Sequence, residues 1–260
     1  MLSSGGKDFT FPMHLNAGPR QSQRERQEHV SVSIIVPVLN EAAVVSQSLQ
    51  RLRENAPGAE IIVVDGGSTD ETARLAKPAC DRLLGAPRGR AGQLNAGAAV
   101  ARGDVLWFLH VDSEVPKGSL DDIARLLENE NVAGGFFRIR LPRAGIGYRL
   151  TDCFAHYAGL LLGMRCGDHG IFCRRESFKC AGSFPDLPLM EDVAFFRNLR
   201  RCGEIGYVSN RIVASPRRYE RIGPTRLSLS YGLIAFLYLL GAPMSSLVRI
   251  YRRTCCRADE

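Results

Sequence analysis

The sequence lacks the cysteine spacing that zinc ribbons and thioredoxin-like proteins share. Among its eight cysteines no two form a Cys-x-x-Cys pair. The first residues, Met1 to Gly6, contain no apolar segment of the kind that a secretory signal peptide carries. We therefore predict a cytoplasmic protein without a disulfide scaffold, because the cytoplasm is reducing.

Long apolar runs are also missing. No charged residue occurs from Leu227 to Val248, but serines, glycines and a proline interrupt this segment. Its densest part, Tyr231 to Met244, is shorter than the roughly 20 apolar residues that span a bilayer. We predict a helical C-terminal extension over residues 226–260. The flanking arginines fit peripheral contact with the inner face of a membrane, and packing on the core or in a dimer contact stays open.

Lysine is scarce: four lysines stand against 30 arginines, and the formal net charge is +7. A guanidinium binds phosphate and carboxylate oxygens in a forked geometry. The charge is compatible with nucleic acid, an anionic membrane or a phosphorylated small molecule, and equally with a plain compositional bias. Because the arginines are scattered and no zinc finger or aromatic stacking motif accompanies them, we expect no nucleic-acid partner.

What the chain does contain is the composition of a folded protein. Apolar residues make up 45% and charged residues 23% of its 260 residues, the balance of a globular domain. Residues 1–30 are rich in Gly, Ser, Gln and Arg without periodicity, which predicts a flexible leader. No linker is visible after it, so we predict one domain over residues 31–225, followed by the C-terminal extension.

Apolar runs of strand length alternate with helix-forming sequence in the first half. Strands are predicted at residues 32–39, 61–64, 82–84 and 105–109, and helices at 41–54, after 68, and at 89–101. Ser68 and Glu71 have the spacing of a capping box for the second helix. This alternation predicts a mostly parallel sheet with helices on both faces.

Polar residues follow the predicted strands where each of them ends. They are Asn40 and Glu41, then Asp65, then His110 and Asp112. Ligands of such sheets bind at the carboxyl ends of the strands, so we expect these residues to face one cleft. Neither a Gly-x-Gly-x-x-Gly fingerprint nor a Gly-x-x-x-x-Gly-Lys-Ser/Thr loop occurs there, which argues against dinucleotide-binding and P-loop proteins.

The second half is less regular. We predict a strand at 132–140, helices at 146–163, near 175 and at 191–201, and strand pieces near Ile205 and Ile212.

The residues alone leave several chemical interpretations open. Asp112 has the chemistry of a ligand for a hard divalent cation, but Asp is common at strand ends. Asp65 suits either a nucleoside contact or a turn. Arg90 stands where a helix N-terminus favours anions, and a solvated arginine fits equally well. Asp192 is either a general base or a carboxylate favoured by a helix start.

Five segments together resemble the family-2 glycosyltransferases of the GT-A fold, over about residues 31–220. They are Ser33 to Glu41, Val63 to Asp70, Leu94 to Gly97 leading to Asp104, Phe108 to Asp112, and Glu191-Asp192 at a helix start. A narrower resemblance is to the arsenosugar-biosynthesis-type branch. It rests on Arg88 to Ala91, on His110 and on Gly167 to Phe172.

The resemblance implies an inverting transfer from a nucleotide-diphosphate sugar to a hydroxyl acceptor, either a small molecule or a lipid. It assigns Asp112 to Mg²⁺ or Mn²⁺, with His110 replacing the first Asp of the usual Asp-x-Asp. Asp192 is then the base with Glu191 beside it, and Asp168 and His169 lie on the acceptor side. The donor would be bound by Pro37, Asn40, Glu41, Asp65, Arg90, Asn95, His110, Arg217 and Arg218.

Two other functions remain open from the sequence. A sugar-phosphate nucleotidyltransferase of related fold is expected to carry a Gly-rich loop with Arg and Lys after the first strand, where this chain has Asn40 and Glu41. A non-catalytic sugar-nucleotide-binding module would share the fold but not the turnover.

Overall fold

The computed structural model describes residues 30–140 and 165–255. Its described strands are β1 (Val32–Val38), β2 (Glu60–Asp65), β3 (Arg82–Gly85), β4 (Val105–Phe108), β5 (Val132–Arg140), β6 (Phe172–Arg174) and β7 (Glu204–Val213). They form a sheet in the order β3-β2-β1-β4-β6-β5-β7. Pairs β1–β2, β1–β4, β2–β3 and β5–β7 are parallel, and β6 is antiparallel to both β4 and β5. The predicted mostly parallel sheet is confirmed.

The described helices are α1 (Val45–Asn55), α2 (Thr72–Ala76), α3 (Arg90–Val100), α4 (Ser119–Leu126), α5 (Arg175–Ala181), α6 (Glu191–Leu199), α7 (Arg217–Ile222), α8 (Pro224–Leu239) and α9 (Met244–Cys255). One turn of 3-10 helix spans Gly167–His169. The helix predicted at 146–163 and most of the leader predicted at 1–30 lie outside the described residues. Among the described residues no helix combines the length and apolarity that crossing a bilayer demands.

Both faces of the sheet are covered, as the continuous apolar strands predict. Ile34 of β1 and Trp107 of β4 pack with α1 and α4 on one face. Ile35 and Phe108, the next pair in register, pack with α3, α5 and α6 on the other. Successive strand residues point to opposite faces, so strands buried on both sides must be apolar at nearly every position.

One local prediction is wrong. The capping box does not form, because Ser68 bonds Asp65 and α2 begins only at Thr72. The helix start is held instead by Asp70, whose Oδ1 accepts the Thr72 N–H at 3.0 Å. The strand pieces predicted near Ile205 and Ile212 are confirmed, and they belong to one strand, β7, whose pairing with β5 is irregular between them.

A disulfide among the described residues bears on the prediction of a chain without a disulfide scaffold. Cys180, near the end of α5, is bonded to Cys202, shortly after α6, with their Cα atoms 6.1 Å apart. The bond joins two neighbouring helices that already pack in one apolar cluster. It is therefore a local link between packed helices and not a scaffold that replaces a core.

Candidate active site

The Asp65 turn forms one wall of the cleft. The Asp65 Oδ2 atom accepts the N–H groups of Gly67 at 3.1 Å and Ser68 at 3.0 Å, and Oδ1 accepts the Ser68 hydroxyl. Asn40, at φ 53°, accepts the Thr69 N–H on its Oδ1 at 2.8 Å and so ties the end of β1 to this turn. Asp65 therefore has the turn role that the sequence left open.

Gln93 of α3 links the ends of β1 and β2, a role that the sequence did not predict. Its buried amide donates to the carbonyls of Val38 at 2.9 Å and Val64 at 2.8 Å. A Cβ on Gly66 would lie 3.0 Å from this amide, so the close approach favours glycine. The residue has no local signal, because a glutamine on a helix is most often exposed.

Glu41, Asp112 and Arg217 meet at the opening of the cleft. The Arg217 guanidinium donates to Glu41 Oε2 at 3.1 and 3.2 Å and to Asp112 Oδ2 at 2.8 Å. The three residues follow β1, β4 and β7, so the sheet brings together positions that lie far apart in sequence. Sequence reasoning identified each residue but not their contact.

Two carboxylates that share one cationic group form a donor set of the kind that hard divalent cations use. Burial raises the pKa of Glu41, with Asp112 adding to the rise and Arg217 opposing it. Positive charge is therefore favoured between the two carboxylates. The part of the chain that the structure describes holds no cluster of three or more His, Cys, Asp or Glu side chains arranged around a metal position. This end fits a cation that takes its remaining ligands from a phosphorylated substrate and from water.

Arg90, the first residue of α3, lies at the other end of the cleft and faces α6. Its Nη2 lies 2.5 Å from His110 Nε2, and its Nε lies 3.6 Å from Glu191 Oε1. Gly167 makes room for it, since a Cβ there would lie 2.2 Å from Arg90 Nη2. Burial lowers the pKa of Arg90, but Glu191, Asp192 and Asp168 outweigh it and the net shift is upward. Arg90 is therefore a cation held by acidic neighbours.

His110 and Asp168 belong to the same group. Asp168 Oδ1 lies 3.1 Å from His110 Nε2, the nitrogen that also faces Arg90. Burial and then the Arg90 charge lower the pKa of His110. Burial alone would raise the pKa of Asp168, but His110 and Arg90 reverse this and lower it. A guanidinium can only donate, so His110 Nε2 accepts from Arg90. His110 thus contacts Arg90 and Asp168 at this end, whereas Asp112 pairs with Arg217.

Asp192 lies at the start of α6 with both carboxylate oxygens oriented by the backbone. Oδ2 accepts the Gly167 N–H at 2.6 Å and Oδ1 accepts the Val193 N–H at 2.7 Å. A cavity of about 10 Å³ is lined by Asp192 together with Pro37, Arg90 and His110. Side chains from β1, α3 and α6 and from the segment after β4 thus converge on one small space, and His110 is the member of the strand-end set that lies in its lining.

Three predicted site residues make their contacts elsewhere. Asn95 exchanges two hydrogen bonds with the Phe184 backbone, at 2.8 and 2.9 Å, and so fixes the loop before α6. The His169 ring is buried, with Nδ1 3.0 Å from the Phe137 carbonyl and its edge against Phe136. Arg218 donates to the Tyr231 hydroxyl at 2.8 Å and ties α7 to α8. None of the three residues lines the cavity, but the charges of His169 and Arg218 contribute to lowering the pKa of Asp168.

A match to a protein-family model identifies the family of this chain. The model described as Glycosyl transferase family 2 matches residues 33–178, which is more than half of the chain. The chain belongs to glycosyl transferase family 2. An uncharacterized glycosyltransferase of Haemophilus influenzae is 30% identical to this family-2 protein over 176 residues, which cover 64% of this chain and 70% of the relative.

A second relative of the family-2 chain is named for a lipid-linked substrate. Undecaprenyl-phosphate 4-deoxy-4-formamido-L-arabinose transferase of Pseudomonas aeruginosa is 32% identical over 109 residues, or 37% of this chain. The match spans 31% of that relative, and several other curated relatives are matched over 35% to 39% of their length.

Solved structures give the fold of the family-2 chain. Glucosyl-3-phosphoglycerate synthase from Mycobacterium tuberculosis, in complex with Mn²⁺, UDP and glucosyl-3-phosphoglycerate, superimposes with a TM-score of 0.57. The two are 21% identical, and the match covers 82% of this chain and 81% of that one. The predicted GT-A fold is confirmed.

Proposed function

We propose that this protein transfers a sugar from a nucleotide-diphosphate donor to a hydroxyl acceptor by an inverting displacement, with Asp192 as the base. One observation carries the proposal: Asp192 lines the same cavity as Pro37 and His110, which lie on β1 and just after β4. Membership in family 2 and the activities for which its relatives are named support sugar transfer. The narrower relation to the arsenosugar-biosynthesis-type branch and the cytoplasmic location stay predictions from the sequence.

The donor would bind across the carboxyl ends of β1, β2 and β4. The Asp65 turn is assigned to the nucleoside, and the Asp112 end to the diphosphate and to a cation, Mg²⁺ or Mn²⁺. The Mn²⁺ and UDP named for the mycobacterial synthase support this assignment. When bound, such a cation stabilises the negative charge that gathers on the departing diphosphate. Asp112 would hold it, with Glu41 beside it.

Asp192 would take the proton of the acceptor hydroxyl. As the acceptor oxygen bonds to the anomeric carbon, the bond from that carbon to the diphosphate breaks, and the hydroxyl proton moves to Asp192. This transfer needs an approach to about 3 Å. The N–H groups of Gly167 and Val193 fix the orientation of the carboxylate beforehand. Glu191, paired with Arg90, positions the first turn of the same helix.

Two other functions make different predictions. A sugar-phosphate nucleotidyltransferase would release pyrophosphate from a nucleoside triphosphate and a sugar phosphate. A non-catalytic module would bind the donor without turnover. Loss of transfer in Asp192→Asn with retained donor binding supports the transferase, whereas pyrophosphate release or a complete lack of turnover by the parent contradicts it.

A thermal-shift panel of UDP-, GDP-, ADP- and dTDP-sugars, with and without Mn²⁺, tests the donor assignment. Ligands that bind the native state raise the melting temperature. We expect one base to stabilise the protein selectively, and more strongly with Mn²⁺. A flat response across the panel would overturn the proposed function.

The acceptor side would lie near a membrane, because α8 is apolar on two opposite faces. Leu227, Ser230 and Ile234 are buried. Leu229, Leu233, Phe236 and Leu240 recur every three or four residues around the other face and are 49% to 72% exposed. We call these four residues the apolar stripe. A helix that is apolar all round is normally covered.

Charge favours an anionic membrane as the cover of the apolar stripe. From Arg221 to Cys255 there are five arginines and no acidic residue. A second copy would bring two positive surfaces together, whereas anionic lipid headgroups attract such a surface. The lipid-linked substrate named for the Pseudomonas relative supports a lipid acceptor.

Co-sedimentation with vesicles tests this contact. We expect binding to vesicles that contain phosphatidylglycerol and little binding to pure phosphatidylcholine. The double variant Leu233→Ser, Phe236→Ser should lose the binding, and Tyr207→Ser, which changes an exposed aromatic on β7, should keep it. Absence of vesicle binding, or a dimer in solution that the double variant disperses, would contradict membrane contact.

A further inference from the structure

All three guanidinium nitrogens of Arg217 have hydrogen-bond partners, which belong to three neighbouring residues. Its Nε lies 3.2 Å from Ser215 Oγ, and its two terminal nitrogens contact Glu41 and Asp112. Glu41 and Asp112 lie 176 and 105 residues away in sequence. One side chain from α7 therefore bridges the ends of β1 and β4 at the mouth of the cleft.

The bridge has the character of an exchangeable ion pair. The Arg217 side chain is 48% exposed, and the carboxylates of Glu41 and Asp112 are 28% and 29% exposed. Solvent reaches all three groups, and ion pairs that water can screen are weak. Burial lowers the pKa of Arg217, but Asp112 and Glu41 more than compensate and raise it. The side chain is thus a permanent cation held by weak bonds.

Arg217 can leave the carboxylates without unfolding its helix. Arg218, the next residue, anchors α7 to α8 through Tyr231. The Arg217 N–H lies 3.4 Å from the Ser215 hydroxyl and the Glu220 N–H donates to the Pro216 carbonyl, so the backbone of this turn is held separately. Rotation of one half-exposed side chain is enough to release Glu41 and Asp112.

We propose that Arg217 is an internal counter-ion that competes with a divalent cation for Asp112 and Glu41. The inference rests on the proposed function, in which Asp112 holds that cation. A guanidinium and a metal ion cannot both occupy the space between the same oxygens, because their charges repel and their contacts coincide. Arg217 would therefore bridge the two carboxylates in the absence of a cation and lower their affinity for the metal alone. The cation gains access when Arg217 turns away.

Direct measurement of Mn²⁺ binding tests the competition without any sugar nucleotide. Electron paramagnetic resonance of free Mn²⁺ gives the dissociation constant for the full chain. Removing a partly exposed ion pair changes affinity by up to about fivefold per contact. We expect Arg217→Gln to bind Mn²⁺ about threefold to tenfold more tightly than the parent, with Arg217→Lys between them.

Two further variants identify the site. Arg226→Gln removes the same charge from an exposed position on α8, and we expect it to leave Mn²⁺ affinity within about twofold of the parent. Asp112→Asn should abolish the tight binding of Arg217→Gln in the double variant. Mn²⁺ affinity that is unchanged or weaker in Arg217→Gln, or equal with and without Asp112, would overturn the proposal.

The failure of this inference differs from the failure of the proposed function. A protein that responds to sugar nucleotides but shows no effect of Arg217→Gln on Mn²⁺ binding contradicts the competition only. A protein with the predicted Mn²⁺ affinities and no response to any sugar nucleotide contradicts the proposed function only. Thermal melts of each variant check that the fold is intact, and Arg217→Lys keeps the charge if Arg217→Gln melts early.

Discussion

The two ends of the cleft hold an arginine between acidic groups in different ways. At the inner end Arg90 packs against Gly167 and His110, and its Nε is buried without a hydrogen-bond partner, although the side chain as a whole is 36% exposed. At the mouth Arg217 is open to solvent and hydrogen-bonded through all its nitrogens. Packing fixes the first arginine, whereas exchangeable bonds hold the second. We infer that the inner end orients groups for chemistry and that the mouth accepts ligands.

Among variants that test this difference between the two ends, Asp192→Asn is expected to have the largest effect on kcat. Asp192→Asn removes the proposed base and leaves one oxygen to accept an N–H. Loss of a general base costs about 10² to 10⁴ in rate, so we expect kcat for transfer to fall by that factor. Steady-state kinetics with the sugar nucleotide that stabilises the protein measures it. A kcat within about threefold of the parent would rule out Asp192 as the base.

Gly167→Ala should give the next largest effect, because it breaks the packing that fixes Arg90. The new Cβ would lie 2.2 Å from Arg90 Nη2 and 3.1 Å from His110 Nε2, so the guanidinium must shift. Misplacing a positioning group by about 1 Å costs on the order of 10²-fold in rate. We expect kcat to fall between about tenfold and 100-fold, with donor affinity retained.

Gly92→Ala is the matched control, since a Cβ there meets no atom within 4 Å. It should leave kcat unchanged and stabilise α3 slightly, because alanine favours helix. Equal losses of kcat in both variants would mean that packing around Arg90 is not what the reaction depends on.

Asn95→Ala should affect stability and spare the donor. Two hydrogen bonds to the Phe184 backbone are lost, at about 1 kcal/mol each. We expect the free energy of unfolding to fall by about 2 kcal/mol in urea titrations. A large loss of donor affinity with unchanged stability would restore the donor-binding role that the sequence predicts.

The smallest effect is a pH dependence at His110. Its pKa is lowered in the folded state by burial and Arg90, so the unfolded chain binds more protons as the solution becomes acidic. This contribution to stability is present above the ordinary histidine pKa and is lost as pH falls toward the lowered value. Unfolding at pH 7 and pH 5 should show a smaller loss for His110→Gln than for the parent. An identical loss in both would contradict the assignment.

The sheet and its ligand edge could be predicted because their signals are local. β-branched runs such as Ile61 to Val64 have strand length, and polar residues follow each strand directly. Strand pairing then brings Glu41, Asp65 and Asp112 to one edge.

Contacts between distant segments could not be predicted from one sequence. The motif around Asn95 predicts that this residue binds the sugar-nucleotide donor. Only the structure shows that its side-chain amide is hydrogen-bonded to the backbone of Phe184. The contact between Arg217 and Asp112 depends on where α7 lies after the end of β7. Ser68 and Asp70 are both suitable residues for the start of α2. Because Ser68 is hydrogen-bonded to Asp65, Asp70 accepts the N–H group at the helix start instead.

Isothermal titration of the stabilising sugar nucleotide, with Mn²⁺ present, tests the division of the cleft most directly. Asp112→Asn and Asp192→Asn make the same change of charge at its two ends. This division of the cleft predicts that Asp112→Asn weakens donor binding by about tenfold or more, whereas Asp192→Asn leaves it within about twofold of the parent. Loss of donor binding in Asp192→Asn, with full binding in Asp112→Asn, would contradict it.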